Sequence, residues 1–368
     1  MPEESESPRR TLVLVFLAMA GLFVITGITA GWYRRTQVAR AKEFFAHGSQ
    51  LEAVNKEQQA IEAYQNALTI SRDNTQYRLA VALSLMKLGK LNEAAIYFDE
   101  LLRADPAAAV PNLMLARISA SHGAIDRAVD YYHRAVFGYW PPGSEQKRTA
   151  AQWELVDLLR KRGTKKQVLA ELMQLEQLPN DDEGRKRVAN LLLTYGAPSQ
   201  ASEIYRDILR QNNDDAQAWA GLGEADLMRG RYLDAQSAFR RAARRNSSDE
   251  PIQKRLDLAN AVVNLDPGLR GLSPADRFHR SQVLLRMALS SLDTCLAARG
   301  IPIIPQPDGQ LVARARKAAG ARFRRAAYAE AVESNISLAE RLWGLRTDAC
   351  GSSGSPEALA RVLARLSQ

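Results

Sequence analysis

Residues 11–33, TLVLVFLAMAGLFVITGITAGWY, contain no charged side chain. Beyond residue 40 the pattern changes: apolar residues recur at steps of three and four, the period of a helix that buries one face. Glycine, proline and short polar clusters break this pattern into segments of ordinary helix length. No alternating run of Val, Ile and Thr bounded by turn residues occurs, so the chain is predicted to be all-α.

The clearest segment is residues 216–249, AQAWAGLGEADLMRGRYLDAQSAFRRAARRNSSD. It predicts a helical hairpin, with Trp219, Leu222 and Gly223 on the first helix, Gly230 at the turn, and Ala235, Phe239 and Ala242 on the second. Gly196, Ala201 and Tyr205 stand 34 positions before Gly230, Ala235 and Phe239. Ala60, Ala94 and Ala128 repeat that interval, with Tyr64, Phe98 and Tyr132 in step and Gly89 and Gly123 at two turns. Pro106 and Pro141 fall at or beside the ends of second helices. These residues and this period resemble the tetratricopeptide repeat family. The resemblance implies a right-handed α-solenoid of hairpins, in which small residues receive the large residues of neighbouring helices and the first helices line a concave groove. Such a hairpin buries its apolar face only by stacking on others.

The register sets the expected boundaries. Residues 1–10 are a tail, residues 11–33 a transmembrane helix, residues 34–40 a juxtamembrane segment, and residues 41–249 about six repeats. The first three repeats cover 41–74, 75–108 and 109–142. The fourth, about 149–181, is degenerate, with Val168, Leu172 and Leu175 where the family places smaller or aromatic residues. Ala128 and Ala201 are 73 positions apart, two periods plus five, and the extra residues are expected around Pro141, Pro142 and Gly143. The fifth and sixth repeats, 182–215 and 216–249, return to pattern. Residues 250–368 form a C-terminal helical module. Its expected parts are a capping helix over 251–265, a linker over 265–274, a long helix over 275–299 and an extended proline-rich loop over 301–309. A divergent repeat-like hairpin around Ala319, Phe323 and Tyr328 and a terminal helix over 355–366, capped by Ser355, complete it.

The uncharged run matches the roughly 20 residues that cross a bilayer, and Trp32, Tyr33, Arg34 and Arg35 suit its interface. An uncleaved anchor is expected. A cleavable secretory signal is the alternative, against which stand the length of the apolar run and the poor cleavage site at Thr29-Ala30-Gly31. Gly27 and Gly31 form a GxxxG pair through which two such helices could make a homodimer, a short motif that also occurs by chance. Flanking charge is nearly balanced: Arg9 and Arg10 stand at one end and Arg34, Arg35, Arg40 and Lys42 at the other, a slight tilt towards cytoplasmic repeats. The cysteines tilt the opposite way. Cys295 and Cys350 both fall near helix ends, which suits a disulfide and extracytoplasmic repeats; two buried thiols are the other reading.

Composition adds little, with 46% hydrophobic and 25% charged residues as in most folded chains. The net charge of +9 is concentrated in helices such as that of Arg240, Arg241, Arg244 and Arg245. Without a nucleic-acid module beside them these read as solvated helix faces, and no nucleic-acid partner is expected. His47, His122, His133 and His279 show no metal-binding spacing, and GxSxG, P-loop and Rossmann motifs are absent from the sequence. No catalytic residue, metal or cofactor is expected, and the chain is not read as an enzyme. Asp181, Asp182, Glu183, Asp214 and Asp215 sit at repeat junctions, where acids cap helices. Two patches on first helices are candidate partner sites. Leu79, Leu83, Met86, Val110 and Leu113, with Lys87 and Arg117 at the edge, would make an apolar groove unless the helix over 36–45 folds across it. Lys186 and Asn190 resemble half of the carboxylate clamp by which some family members hold a peptide C-terminus, but Ala220 and Gly221 stand where another asparagine belongs. The resemblance implies a membrane-anchored scaffold that binds a protein or peptide in its groove, or else a structural subunit of an envelope assembly such as a secretion or pilus machine.

Overall fold

The computed structural model describes residues 7–177, 181–300, 308–351 and 356–367. Among the described residues the chain forms seventeen α-helices and one short 3-10 turn, and no β-strand. It divides into two compact units, Met1–Glu171 and Leu172–Gln368, at a point inside the degenerate fourth repeat.

In the first unit α1 (Ser7–Ala53) is one helix of 47 residues. Its apolar side chains are exposed, Phe23 at 82%, and among the described residues α1 is the one helix long and apolar enough to cross a membrane. A Cβ added at Gly27 or Gly31 would meet nothing within 4 Å outside the adjacent turns of α1. Residues 34–40, expected as a juxtamembrane segment, are continuous with this helix. The stretch TQVARAKEFFA holds neither glycine nor proline, so nothing stops the helix between the apolar run and the first repeat. Residues 36–45 therefore do not fold back as a flap: from Ala41 onward α1 packs on α2 (Glu57–Ile70) as the first helix of repeat one. Phe45 stacks on Tyr77 with ring centroids 4.9 Å apart and tilts against Tyr64 at 5.3 Å.

Repeats two, three and four are α3 (Thr75–Lys87) with α4 (Leu91–Ala104), α5 (Ala109–Ser121) with α6 (Ile125–Phe137), and α7 (Glu145–Arg162) with α8 (Lys165–Glu176). The recurrent turn glycines Gly89, Gly123, Gly196 and Gly230 all have φ between 71° and 75°, the left-handed region that glycine enters without penalty. Asn55 fills this place in repeat one at φ 57°. Gly163, in the degenerate repeat, has φ −96° and makes a different turn. The five extra residues are not confined to the loop, as expected from Pro141 and Pro142. They are shared with α7, which has 18 residues where α5 has 13. The loop itself is pinned by Tyr139 N–H donating to Ala107 O at 2.7 Å and the Trp140 indole donating to Ala135 O at 2.8 Å.

In the second unit repeats five and six are α9 (Asp182–Thr194) with α10 (Pro198–Gln211) and α11 (Ala216–Met228) with α12 (Tyr232–Arg245). Asp181, Asp215 and Asp249 each accept from the N–H three residues on, at 2.7, 2.9 and 3.1 Å, and so cap α9, α11 and α13 (Glu250–Leu265). Asp249 follows Asp215 by the same 34 positions that separate Asp215 from Asp181, so α13 opens as a further first helix. The chain continues through α14 (Pro274–Ala298), α15 (Asp308–Ala319), α16 (Tyr328–Cys350) and α17 (Glu357–Leu366).

The boundary expected at residue 250 is not a boundary in the packing. Leu227, Tyr232, Ala235 and Phe239 of repeat six share one core with Val262, Leu284, Leu342 and Leu359. The terminal helix α17 lies on this core, with Tyr232 Oη donating to Arg361 O at 2.7 Å and Arg365 paired with the fully buried Asp266. Helices α14 and α16 run parallel: Asn335 Nδ2 donates to Ser281 Oγ at 2.9 Å near their starts, and a Cys295–Cys350 disulfide joins their ends with Cα atoms 6.2 Å apart. Around Ala319, Phe323 and Tyr328, where a repeat-like hairpin is expected, α15 and α16 touch, but α16 pairs mainly with α14. Arg322, Arg324 and Arg325 leave that stretch without an apolar face, whereas the 23 residues of α16 carry one that matches α14. Of the proline-rich loop expected over 301–309, residues 301–307 lie outside the described residues, and Asp308 and Gly309 open α15 instead. The cap expected at Ser355 also lies outside the described residues.

Candidate functional site

Residues of α9, α11 and α13, the first helices of successive repeats, line one pocket of about 420 Å³. The period places them there. Lys186 and Asn190 come from α9, Gly221 and Glu224 from α11, and Arg255 from α13, 34 residues after Gly221. Tyr205 of α10 closes the floor. A Cβ on Gly221 would lie 2.2 Å from Tyr205 Cζ, so the ring takes the volume a side chain would need and leaves the helix surface open above it.

Polar groups in this pocket are tied to one another. Tyr205 Oη donates to Asn190 Oδ1 at 2.7 Å. Burial, then the nearby Asp215 and Glu224 carboxylates, hold the phenol well above its ordinary pKa, so it stays a donor. The Tyr205 hydrogen bond uses the carbonyl oxygen of the Asn190 amide. Lys186 is 8% exposed, and its ammonium meets Glu183 at 2.5 Å, Asp215 at 3.1 Å and Gln217 at 3.2 Å. Burial pulls its pKa down, but Glu183 and Asp215 outweigh burial and the net shift is upward. Burial likewise pushes Asp215 up, and the Ala218 N–H and Lys186 outweigh it to leave its pKa lowered. Arg255 bridges Glu224 at 2.9 Å and Glu357 at 3.3 Å. The result is a fixed set of donors and acceptors around a glycine gap, with no nucleophile paired to a base. It suits recognition of an extended chain of mixed polarity.

The two halves of the sequence expectation fare differently. Lys186 and Asn190 both line the pocket, but three acceptors already match the three donors of the Lys186 ammonium, and Asn190 Oδ1 is taken by Tyr205. A peptide carboxylate would have to displace them. In repeats two and three, Leu79, Leu83 and Met86 are half-buried and pack on the core of Tyr64, Val81, Leu85 and Phe98. Val110 is half-buried as well. Leu113 is corrected from groove to core: it is 5% exposed because that face of α5 turns inward, and Met114 takes the outer position. The two edge cations are engaged. Lys87 pairs with Glu52 and, at 3.3 Å, with Glu57, while Arg117 forks onto Glu154 at 2.9 and 2.7 Å. Glu224 and Arg255 were not among the expected residues. The signal was there, since one period beyond Asn190 is Glu224 and one period beyond Gly221 is Arg255.

The tetratricopeptide repeat model matches residues 45–109 and 189–251. A curated relative is the human protein O-mannosyl-transferase TMTC1, 24% identical over 213 residues that cover 57% of this chain and 20% of the relative. The chain thus spans about a fifth of the length of the curated relative it matches. Among solved structures, YrrB, described as a TPR protein with an unusual peptide-binding site, is 18% identical with a TM-score of 0.38, over 53% of this chain and 97% of its own. The C-terminal part of a TPR repeat-containing protein from Cytophaga hutchinsonii is 11% identical with a TM-score of 0.41, over 60% and 86%. The TPR domain of P58(IPK) is 13% identical with a TM-score of 0.30, over 89% and 97%.

Proposed function

Since the chain belongs to the tetratricopeptide repeat family, we propose that it is a membrane-anchored scaffold that holds a protein or peptide partner in the pocket of Lys186, Asn190, Glu224 and Arg255. One observation carries this reading: three successive first helices bring polar groups at the repeat period around the open surface left by Gly221 over Tyr205. Asn190 brings an amide, Glu224 an acceptor, and Ala220 and Gly221 leave room for main chain. We read the role as binding and not catalysis. The transferase activity in the name of the human relative belongs to a protein of which this chain covers one fifth, and it is not carried over.

The exposed apolar length of α1 supports the anchor, because such a surface is costly in water and favourable in a bilayer. The Cys295–Cys350 pair supports repeats on the extracytoplasmic side, where disulfides persist. Carbonate washing should leave the full chain in membranes; a soluble form beginning near Gly31 or Trp32 would refute the anchor. For the pocket, Asn190→Arg with Arg255→Glu should lower partner recovery from gently solubilised membranes about tenfold or more while helicity is kept. Unchanged recovery would refute the site.

A further inference from the structure

Between Asp308 and Glu330 the chain has no acidic residue and six basic ones, Arg314, Arg316, Lys317, Arg322, Arg324 and Arg325. Arg316 reaches Asp293 at 3.2 Å. Among the described residues no ion pair engages the other five, and all five are exposed. The backbone presents them on an edge. Helix α15 ends at Ala319, and residues 320–327 are exposed without interruption before α16 begins to bury its face. Gln282 Nε2 donates to Ala321 O at 2.7 Å and holds the start of this stretch against α14. Phe323 sits among the arginines and is 41% exposed. It leans on Phe278 at 5.6 Å and on Tyr328 at 6.5 Å, so its position is fixed while part of the ring faces solvent.

The other arginine-rich face of this unit differs in degree, since contacts engage two of its four arginines. On α12, Arg241 lies over the Trp219 ring at 4.6 Å and Arg245 pairs with Asp214 at 3.1 Å, as in an ordinary solvated helix surface. The 314–325 edge has cations without such partners, and an aromatic ring at their centre. A ring at headgroup depth with guanidinium groups at phosphate level is the arrangement that bilayer interfaces favour. We propose that residues 314–325 dock on anionic phospholipid headgroups and give the chain a second membrane contact besides α1. This rests on the anchored reading of α1, which confines the edge near a bilayer and lets a modest electrostatic attraction suffice.

The test uses the full chain in nanodiscs of phosphatidylcholine alone or mixed with phosphatidylglycerol, read by hydrogen–deuterium exchange. Exchange over residues 320–327 should slow about tenfold or more in the anionic discs, since the attractions of several basic residues to such a surface add. The exposed turn at Arg270 serves as the internal reference and should not change. High salt should abolish the protection, and Arg322→Glu with Arg324→Glu should exchange equally in both discs. Equal exchange of the unaltered chain in both discs would overturn the proposal. So would stronger protection by polyglutamate or an oligonucleotide in phosphatidylcholine discs than by phosphatidylglycerol, since the edge would then be a site for an acidic polymer. Loss of the chain from phosphatidylcholine discs on gel filtration would refute the anchor, whereas retention with unchanged exchange would refute the docking edge alone.

Discussion

Replacing Cys350 by serine should loosen the end of α16 before any other part of the second unit. The disulfide joins residues 55 positions apart, and in the chain-entropy account a loop of that length restricts the unfolded chain by about 4 kcal/mol. The native helices do not need the bond in order to meet. Leu284, Leu285, Ala288 and Leu292 of α14 share a core with Leu338, Ala339 and Leu342 of α16, and the Ser281–Asn335 hydrogen bond sets their register at the start. Packing thins towards the other end, where a cavity of about 570 Å³ is lined by Met287, Ser290, Thr294, Arg346 and the two cysteines. The effect should therefore be local. Hydrogen exchange of the full chain should show amides of the last turns of α16 accelerated by up to roughly a thousandfold, the equivalent of that free energy, while α9 to α12 keep their rates. Uniform acceleration through the unit, or none, would refute the reasoning. Labelling of both cysteines without reductant, in protein taken directly from cells, would refute the pairing and the oxidising compartment together.

His133 Nε2 lies 2.9 Å from Glu171 Oε1, whose other oxygen accepts from Gln152 at 2.6 Å. The Glu171 hydrogen bond raises the His133 pKa against the opposing effect of burial, so this contribution to stability is complete below the ordinary histidine value of about 6.5 and is lost as pH rises through the folded value. An NMR titration should place His133 above about 6.5 and bring it down in Glu171→Gln; a midpoint at or below that value in the unaltered chain would contradict the pair. Gly223→Leu and Ala235→Phe should each cost about 1 to 3 kcal/mol or more by overpacking, because a Cβ at Gly223 already lies 2.9 Å from three Phe239 ring carbons and Ala235 is fully buried. The exposed His122→Ala should stay within about 0.5 kcal/mol, and equal melting shifts for all three would put the repeat register in error. Leu83→Glu with Met86→Glu should lower stability through the core of repeats one and two; full stability with loss of partner would restore an apolar groove there.

Local patterns were legible. The 34-residue period located the hairpins, their turn glycines and the caps at Asp181 and Asp215, because each of these is decided within one turn of its own residue. Features that depend on distant partners were not. The parallel pairing of α14 with α16 leaves no spacing signature, although Cys295 and Cys350 pointed to the joined ends. Leu113 looked like a groove residue because one helical step separates an inward from an outward face, and only packing chooses between them. The unbroken α1 was readable in TQVARAKEFFA, a run of helix formers that no breaker divides. At the pocket, the period reaches Glu224 and Arg255, but the bridge from Arg255 to Glu357 spans 102 positions and has no local trace.

We read a partner as held on the side of α9, α11 and α13, the first helices that line the pocket. A photocrosslinking amino acid placed at Gln217, which lines the pocket, and another at Ser237, exposed on the second helix α12, compare the two sides in native membranes. The account predicts a discrete protein adduct from Gln217 that disappears when Arg255→Glu is added, and no such adduct from Ser237. Adducts from Ser237 with none from Gln217, or a Gln217 adduct indifferent to Arg255→Glu, would contradict it.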